Sequence, residues 1–381
     1  MPADLFVSAG EASGDLQASL LVAALRELRP SLSVRAIGGE RLRAAGAEII
    51  EDSVAGRWAS MGHLRAYLNI PWLLGRMLAL ANGIMRDPPR LLVCVDFGAF
   101  NLRMLEWLRF RGYRGRALYY FPPAAWLDRS AQARKVARVA EAITPFEHQS
   151  DFYKSLGLRI EWFGHPLVSI IRERAPRVPS TPPLVAVMPG SRDGEVDCHL
   201  PVLAAAAERF ARERGARFRV VAASDALLAS IGARWPQTCG GPASVVRSDA
   251  ATAAVDADVA WVASGTAVLE TALVGTPQVT FYRVSDAQYK VVERHLPHLL
   301  VGPVTLPNLV LGDRIVVELL QHAMSPERLL AETSPLLDDR ARRETMLEGY
   351  SRMRRALGPP DSLERIAARV ASMLDAAAAV S

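Results

Sequence analysis

Short apolar runs alternate with helix-length segments along most of the chain. These runs predict strands at 5–8, 34–37, 91–95, 117–120, 142–143 and 160–163, and again at 184–188, 218–222, 244–246, 259–262 and 278–281. Apolar strands that alternate with helices are typical of parallel sheets covered by helices on both faces. The pattern therefore predicts an α/β fold.

The segment RAPRVPSTPP, residues 174–183, separates the two series of strands. It has four prolines in ten residues, a density that neither a helix nor a central strand accommodates. We therefore predict a stiff linker there, between one domain at 1–173 and a second at 184–338, with two closing helices within 339–381. At 381 residues the chain also exceeds the size that one hydrophobic core usually serves.

One almost wholly apolar segment, AYLNIPWLLGRMLALANGIM at 66–85, departs from this pattern. Pro71 and Arg76 interrupt it, so it is a poor membrane-spanning helix. It could lie in a membrane interface, with the arginines at 65, 76 and 86 near the headgroups and with exposed apolar side chains at Trp72, Leu73, Leu74 and Leu78. A helix packed on the sheet explains it equally well, and the sequence leaves both interpretations open.

The composition changes this picture little. Half of the residues are apolar and 22% are charged, and 45 basic residues stand against 40 acidic ones. We expect no nucleic-acid partner. Three scattered cysteines and an amino terminus without a signal-peptide pattern predict a reducing, cytoplasmic location. No histidine and cysteine cluster has metal-binding spacing, so we expect no metal and no cofactor.

Three polar turns each follow a predicted strand and precede a helix, the place where open parallel sheets bind ligands. In GEASGD, Gly10 and Gly14 allow close approach to the backbone, and Glu11 and Asp15 offer acceptors for hydroxyl groups. The same turn could equally be a helix start capped by Ser13 or Asp15.

The other two turns predict a nucleotide diphosphate-sugar site in the second domain. In PGSRDGEV, backbone amides around Gly190 and Ser191 and the guanidinium of Arg192 favour an anion at a helix start. In SGTAVLE, Ser264, Gly265 and Thr266 repeat the arrangement, and Glu270 could accept hydrogen bonds from ribose hydroxyls. Two ordinary capped helices are the alternative.

Two further side chains are candidates in the first domain. Asp96 follows a buried strand, where a carboxylate is placed to act as a general base or to cap the next helix. His165 follows the last predicted strand of that domain, and a single histidine there is more often structural than catalytic.

The motifs taken together, in order, resemble those of bacterial lipid-A-disaccharide synthases over residues 4–325. They are SAGEASGD at 8–15, MG at 61–62, Asp96 followed by FN at 100–101, PFE at 145–147, GHP at 164–166, PGSR..EV at 189–196, SGTA.LE at 264–270 and LPNL at 306–309. The resemblance implies the GT-B fold, two Rossmann-like domains with parallel sheets facing each other across a cleft.

The resemblance also implies a reaction. The family joins UDP-2,3-diacylglucosamine to 2,3-diacylglucosamine 1-phosphate with inversion, giving a β-1,6-linked disaccharide and UDP. It needs no metal and works peripherally on the cytoplasmic face of the inner membrane. Segment 66–85 matches the apolar membrane-facing region of the family. The oligomeric state stays open, a homodimer being one option.

Site residues carry over by position from the family motifs. Asp96 matches the base that deprotonates the acceptor hydroxyl. The UDP-binding set comprises Gly190, Ser191, Arg192, Glu195, Ser264, Gly265, Thr266, Glu270 and Asn308, and the acceptor-binding set comprises Glu11, Ser13, Gly14, Asn101 and His165.

Four departures from the family pattern fall in the first domain. They are Arg65 in place of a glutamate, Ala99 in place of an acidic residue, Leu127 within PAAWLDR, and Ser169 in place of an aspartate. The nucleotide-side motifs are intact, so the departures concern the acceptor.

Two other functions remain open from the sequence. UDP-N-acetylglucosamine 2-epimerases share this architecture, although an epimerase leaves segment 66–85 unexplained. A non-catalytic nucleotide-sugar-binding relative would follow if the departures abolished turnover. The retained Asp96 favours an enzyme.

Overall fold

The chain folds into two compact units, each built on one parallel sheet. The computed structural model describes residues 3–54, 66–123, 130–295 and 302–378. The first unit comprises Met1–Ile170 and Leu357–Ser381, and the second comprises Ile171–Ala356. The first unit is thus assembled from both ends of the chain.

The first unit contains a seven-stranded sheet in the order β3-β2-β1-β4-β5-β6-β7. Its strands are β1 Leu5–Ala9, β2 Val34–Gly38, β3 Glu48–Asp52, β4 Leu91–Val95, β5 Arg116–Tyr120, β6 Glu141–Thr144 and β7 Glu161–Trp162. Its helices are α1 Glu11–Leu28, α2 Glu40–Ala44, α3 Ala66–Arg86, α4 Gly98–Phe110, α5 Ser130–Val139, α6 Glu147–Ser155, α7 Pro166–Ile170 and, from the carboxyl end of the chain, α16 Ser362–Ala378.

Helices cover both faces of this sheet, which explains why its central strands are apolar throughout. Leu5 and Val7 of β1 point to one face, where they share a core with side chains of α1 and α16. Phe6, between them, points to the other face and joins a core formed with α3, α4 and α5. Alternating side chains of one strand therefore enter two separate cores.

The second unit contains a six-stranded sheet in the order β10-β9-β8-β11-β12-β13. Its strands are β8 Leu184–Met188, β9 Arg217–Ala222, β10 Val245–Arg247, β11 Val259–Ala263, β12 Gln278–Tyr282 and β13 Val317–Leu320. Its helices are α8 Asp193–Arg214, α9 Asp225–Arg234, α10 Ala250–Val255, α11 Thr266–Val274, α12 Asp286–His295, α13 Leu306–Leu311, α14 Pro326–Asp338 and α15 Arg340–Ala356, with short 3-10 turns at Gln237–Cys239, Gly241–Ser244 and Gln321–Ala323.

Every strand pair in both sheets is parallel, as predicted, but two edge strands escaped prediction. β3 reads EIIED and β13 reads VELL, so carboxylates interrupt their apolar pattern. Edge strands are covered less than central ones and tolerate such charges. Glu318 of β13 is used internally, since its Oε1 accepts hydrogen bonds from the amides of Val304 and Thr305 at 3.0 and 2.8 Å.

The proline-rich segment 174–183 has neither helix nor strand, and it is fastened to the second unit. Arg174 donates to the carbonyl oxygens of Val255 and Ala257 at 3.0 and 2.6 Å. The buried Asp258 accepts hydrogen bonds from Arg177 at 2.5 Å and from the amide of Leu184 at 2.7 Å. The start of β8 is therefore anchored to the chain that precedes it.

The two closing helices belong to different units. α15 packs in the second unit, whereas α16 packs on α1 in the first. Arg116 of β5 donates to the carbonyl oxygen of Met373 at 2.9 Å, and Arg369 of α16 contacts Glu161 of β7 at 2.7 Å. Ser169 accepts a hydrogen bond from the amide of Leu363 at 3.0 Å, so the serine at this departure position helps begin α16.

α3 has one face in the core and another in solvent. Met77, Ala81 and Ile84 are buried, while Leu74, Leu78 and Met85 are 38%, 37% and 36% exposed. Trp72 and Leu73, expected to be exposed in the interfacial interpretation, instead pack partly against the core. None of the described helices combines the length and the apolar character needed to cross a membrane.

Candidate functional site

The strand order of each sheet reverses at one place, and the predicted turns lie there. In the first unit β1 and β4 are neighbours, with Ala9 paired to Val95, so the turns that begin with Gly10 and Asp96 lie side by side. In the second unit β8 and β11 are neighbours, with Met188 paired to Val262. Ligands of open α/β sheets bind at such switch points.

Asp96 lies in a strained backbone turn. Asp96 and Phe97 have φ values of 47° and 51°, in the left-handed region that non-glycine residues rarely adopt. The Asp96 carbonyl oxygen accepts hydrogen bonds from Asn101 Nδ2 at 3.0 Å and from the Tyr119 hydroxyl at 2.9 Å. These bonds hold the turn so that Asp96 lies exposed at the carboxyl edge of the sheet.

Gly10 is required by its contact with this turn. A Cβ at position 10 would lie 2.6 Å from two carbons of the Phe97 ring, so any larger residue would push the ring away. Glu11, next to it, is exposed and has a φ of 60°. Ser13 is half-buried and Gly14 is buried in the first turns of α1, where a Cβ at position 14 would meet only ordinary contacts.

Asn101 connects the two turns from the interior of the unit. It is fully buried, accepts a hydrogen bond from the Ser8 hydroxyl at 2.6 Å, and donates to the carbonyl oxygens of Ser8 and Val95 as well as Asp96. All of its amide hydrogens are engaged with β1 and β4. Asn101 therefore positions the two turns of the switch point.

Asp15 holds the start of α2 and does not cap its own helix. Its carboxylate accepts hydrogen bonds from the amides of Gly39, Arg41 and Leu42 at 2.6, 3.0 and 3.3 Å. Burial raises the pKa of Asp15, although the three backbone amides oppose that shift. α1 begins at Gly10 without a side-chain cap.

His165 belongs to a different strand end from the switch-point turns. It follows β7, three strands from β4, and its ring centroid lies 5.5 Å from that of Phe121, which follows β5 next to β4. The ring is 2% exposed, and its Nδ1 accepts a hydrogen bond from the amide of Leu167 at 3.2 Å. Burial lowers the pKa of His165 to about 3, so the ring is neutral at physiological pH and cannot attract a phosphate by charge.

The PGSR turn of the second unit is folded around Glu195. Gly190 has a φ of 128°, and a Cβ there would lie 2.9 Å from Oε2 of Glu195. The carboxylate accepts hydrogen bonds from the Ser191 amide at 3.2 Å and from the Arg192 guanidinium at 2.7 Å. Glu195 therefore orients the two groups that were predicted to bind an anion.

The neighbouring turn opens α11 with little side-chain cover. Gly265, exposed and with a φ of 154°, is the N-cap and provides no capping side chain, and a Cβ there would meet nothing within 4 Å. Ser264 and Thr266 beside it are half-buried, and the Ser264 amide donates to Phe281 at 2.8 Å. Glu270 lies one turn further into α11 and is 9% exposed.

The side chain of Asn308 is hydrogen-bonded to its own unit. It is fully buried in α13, its Oδ1 accepts hydrogen bonds from the amides of Ile315 and Val316 at 2.8 and 3.0 Å, and its Nδ2 donates to Val316 and Glu318. All of its amide hydrogen-bonding capacity is used within the unit. Asn308 therefore joins α13 to β13.

Two residues that the sequence did not single out stabilise the carboxyl edge of the second sheet by hydrogen bonds. His199 Nδ1 lies 2.7 Å from the Pro189 carbonyl oxygen, and its Nε2 accepts a hydrogen bond from the Arg283 amide at 2.9 Å. Gln321, with a φ of 49°, bonds both the amide and the carbonyl of Val284. The only signal for His199 is its position one helical turn after Glu195, which places both on one face of α8.

Parts of two sequence motifs lie outside the described residues. These are the MG stretch at 61–62 with Arg65, and residues 124–129 with Leu127. Ala99, the remaining departure, is exposed in the first turn of α4.

Comparison with solved structures identifies the fold. The calicheamicin glycosyltransferase CalG4 superposes with a TM-score of 0.53 at 16% identity, covering 98% of this chain and 99% of that chain. The UDP-GlcNAc 2-epimerase of Neisseria meningitidis, bound to UDP-GlcNAc, gives a TM-score of 0.61 at 8% identity, covering 97% and 100%. With two parallel sheets and flanking helices, the chain has the predicted GT-B fold.

Comparison of sequences identifies the family. The family model described as lipid-A-disaccharide synthetase matches residues 5–368. A lipid-A-disaccharide synthase from Myxococcus xanthus (strain DK1622) is 36% identical over 386 residues, covering 98% of this chain and 98% of that protein. The resemblance drawn from the motifs is therefore confirmed, and the chain belongs to the lipid-A-disaccharide synthetase family.

Proposed function

We propose that this enzyme transfers a diacylglucosamine unit from UDP-2,3-diacylglucosamine to 2,3-diacylglucosamine 1-phosphate, releasing UDP and a lipid A disaccharide 1-phosphate. The observation that carries the proposal is the position of the family motifs at the switch points of both sheets. One switch point offers a carboxylate, and the other offers backbone amides and a guanidinium that would suit a diphosphate.

Asp96 is the proposed general base. The 6-hydroxyl oxygen of the acceptor attacks the anomeric carbon of the donor from the face opposite the diphosphate. The bond to UDP breaks, the new glycosidic bond forms with inversion, and the hydroxyl proton passes to the Asp96 carboxylate. The hydrogen bonds from Asn101 and Tyr119 support this role because they hold the backbone of the base.

The PGSR and SGT turns are proposed to bind the UDP. The Ser191 amide and the Arg192 guanidinium would bind the diphosphate, helped by the partial positive charge at the start of α8. The first-turn amides of α11 next to Gly265 would add further donors, and Glu270 would accept hydrogen bonds from the ribose. His199 and Glu195 are proposed as positioning residues for these turns.

The solvent face of α3 is proposed to dock on the cytoplasmic face of the inner membrane. Leu74, Leu78 and Met85 lie on one face of the helix at spacings of four and seven residues. Withdrawing acyl chains from a bilayer costs about 0.8 kcal/mol for each methylene, so an enzyme that works on such lipids benefits from binding at the interface. Arg86, exposed at the end of α3, would meet anionic headgroups.

The test is whether UDP release depends on the acceptor. Purified protein would be incubated with UDP-diacylglucosamine, with and without diacylglucosamine 1-phosphate, and the products analysed by mass. The proposal predicts UDP and a disaccharide 1-phosphate only when both lipids are present. UDP released from the donor alone, or conversion of UDP-N-acetylglucosamine to its 2-epimer, would support an epimerase instead.

A further inference from the structure

A groove on the first unit begins beside the Asp96 turn. It lies between α4 and α5 and has a volume of about 460 Å³. Its lining residues are Gly98, Ala99, Leu102, Arg103, Glu106, Ser130, Ala131, Gln132 and Lys135. Gly98 and Ala99 are the second and third residues after Asp96, so one end of the groove adjoins the proposed base.

Each helix presents one stripe of residues to the groove, with an alanine at one end and charged side chains further along. Ala99, Arg103 and Glu106 recur on α4 at spacings of four and three residues, and Ala131 and Lys135 recur on α5 at a spacing of four. Such spacings place side chains on the same helix face. Leu102 is buried beneath the α4 stripe and contributes the apolar part of the lining.

The groove carries an excess of positive charge. Arg103 is exposed and makes no hydrogen bond or ion pair with the part of the chain that the structure describes. Lys135 Nζ lies 3.8 Å from the Glu106 carboxylate, and the two side chains are 48% and 35% exposed, so this long, solvent-accessible pair holds neither group firmly. Ser130 and Gln132 add neutral hydrogen-bond donors. These groups suit an anion with several oxygen atoms.

The distance along α4 suits a sugar phosphate. A helix rises about 1.5 Å per residue, so Arg103 lies about 7.5 Å along the axis from Gly98. That distance is similar to the span of one hexose ring. In a glucosamine, C1 and C5 both adjoin the ring oxygen, so the C1 phosphate and the 6-hydroxyl project from neighbouring corners of the ring. With the 6-hydroxyl at Asp96, the phosphate oxygens and the long side chain of Arg103 would span the remaining distance along α4. Ala99 lies between Asp96 and Arg103 and adds no negative charge.

We infer that this groove binds the 1-phosphate of the acceptor, with Arg103 as the principal contact and Lys135 as the second. The inference rests on the proposed function for the identity of the acceptor. It assigns the phosphate to α4 and α5 and makes Arg103 a specificity-determining residue, which favours a phosphorylated acceptor over the same sugar without phosphate.

The experiment compares two acceptors, diacylglucosamine 1-phosphate and diacylglucosamine. Arg103→Ala should raise the KM for the phosphorylated acceptor by about 10- to 100-fold, because a charge-assisted contact to phosphate is lost. The KM for the unphosphorylated acceptor and for the UDP-sugar should stay at the parental values. Lys135→Ala should act in the same direction with a smaller effect, and Arg103→Lys should recover part of the loss.

Arg134→Ala is the matched control. Arg134 is exposed on α5 next to Lys135 but does not line the groove, so its removal changes the net charge equally. Parental kinetics for this variant are expected. An equal rise in KM for Arg134→Ala would mean that overall charge, and not the groove, attracts the acceptor, which would overturn the inference.

A binding measurement tests the phosphate-binding groove separately from the proposed transferase function. Calorimetry with glucosamine 1-phosphate and with glucosamine requires no turnover and no lipid. Stronger binding of the phosphorylated sugar, lost in Arg103→Ala, would support the groove even if the protein transferred no sugar. The opposite result is that the parent transfers the sugar but Arg103→Ala keeps the parental acceptor KM and the parental affinity for glucosamine 1-phosphate. That result would overturn the assignment of the phosphate to the groove and leave the proposed function intact.

Discussion

Strained residues gather at the edges where the candidate residues lie. Non-glycine residues with positive φ in the described ranges are Glu11, Asp96, Phe97, Phe121 and Gln321, and each lies within two residues of the carboxyl end of a strand. This conformation costs about 1–3 kcal/mol for each residue and persists only where the surroundings impose it. Its concentration at the carboxyl edges of the two sheets supports the proposal that these turns are preorganised for ligand binding.

Asp96→Asn tests the base without disturbing its turn. Asparagine tolerates a left-handed backbone at least as well as aspartate and keeps the shape of the side chain, but it cannot accept the proton. We expect turnover to fall by about 100- to 10,000-fold. The measurement is kcat with both lipid substrates.

UDP affinity and melting temperature serve as controls for Asp96→Asn, and both should match the parent. A variant that retained the parental kcat would exclude Asp96 as the base. A variant with much weaker UDP binding would indicate that the substitution acts on the fold and not on proton transfer.

Arg192→Ala tests the diphosphate site. Removing a charge-assisted contact should weaken UDP binding by about 1.5–3 kcal/mol, or about 10- to 100-fold in Kd, measured by calorimetry. Arg209→Ala is the matched control, because Arg209 also pairs with a glutamate on α8, at 2.7 Å from Glu213, but lies almost five turns further along the helix. Unchanged UDP affinity in Arg192→Ala would contradict the assignment.

The candidate turns could be predicted from the sequence because strand, turn and helix follow one another locally. What each side chain does within a turn could not. Asn101 and Asn308 match motif positions, yet both are buried with their amides saturated by partners distant in sequence. His199 was missed because its partners, Pro189 and Arg283, come together only through the sheet.

At the scale of elements, patterning located the central strands and failed at the edges. Central strands such as β4 are buried on both faces and read as continuous apolar runs. β3 and β13 have one neighbour each and carry glutamates, so their sequences lack that signal. For α3, the sequence predicted a helix but could not divide its apolar residues between core and surface.

The two faces of α3 provide the element-scale prediction. Replacing Leu74, Leu78 and Met85 with serine should reduce co-sedimentation with anionic vesicles and leave the melting temperature almost unchanged, since these side chains are exposed. Met77→Ser with Ile84→Ser is the matched variant on the buried face. It should destabilise the first unit by several kcal/mol, because truncated core side chains leave cavities.

Vesicle binding by the exposed-face variant at the parental level would contradict the docking proposal. A large fall in its melting temperature would mean instead that this face packs within the protein. The two readouts separate a membrane surface from a core surface.

At the scale of the whole molecule, a buried neutral histidine makes stability depend on pH. The pKa of His165 is about 3 in the folded chain and about 6.5 in the unfolded chain. The unfolded chain therefore binds the proton first as pH falls. The contribution of His165 to the free energy of unfolding is therefore fully present above about pH 6.5. As pH falls from there towards 3, this contribution decreases by up to about 1.4 kcal/mol for each pH unit.

His165→Asn removes the titration and keeps an acceptor for the Leu167 amide. Scanning calorimetry between about pH 7.5 and pH 4.5 should show a flatter decline in stability than in the parent, even if the variant is less stable at neutral pH. His322→Asn, at an exposed histidine, is the control and should keep the parental slope. Identical slopes for His165→Asn and the parent would exclude this group as the cause.

The position of α16 has a consequence for biosynthesis. Ribosomes deliver the amino-terminal segment first, yet the first unit lacks its last helix until Leu357–Ser381 has been translated. Ile171–Ala356 is contiguous, so the second unit is the first whose residues are all available to fold. At about 5–20 residues per second, the nascent first sheet waits about 10–40 s with one apolar face incompletely covered. Chaperones that bind exposed apolar surface have that interval in which to engage it.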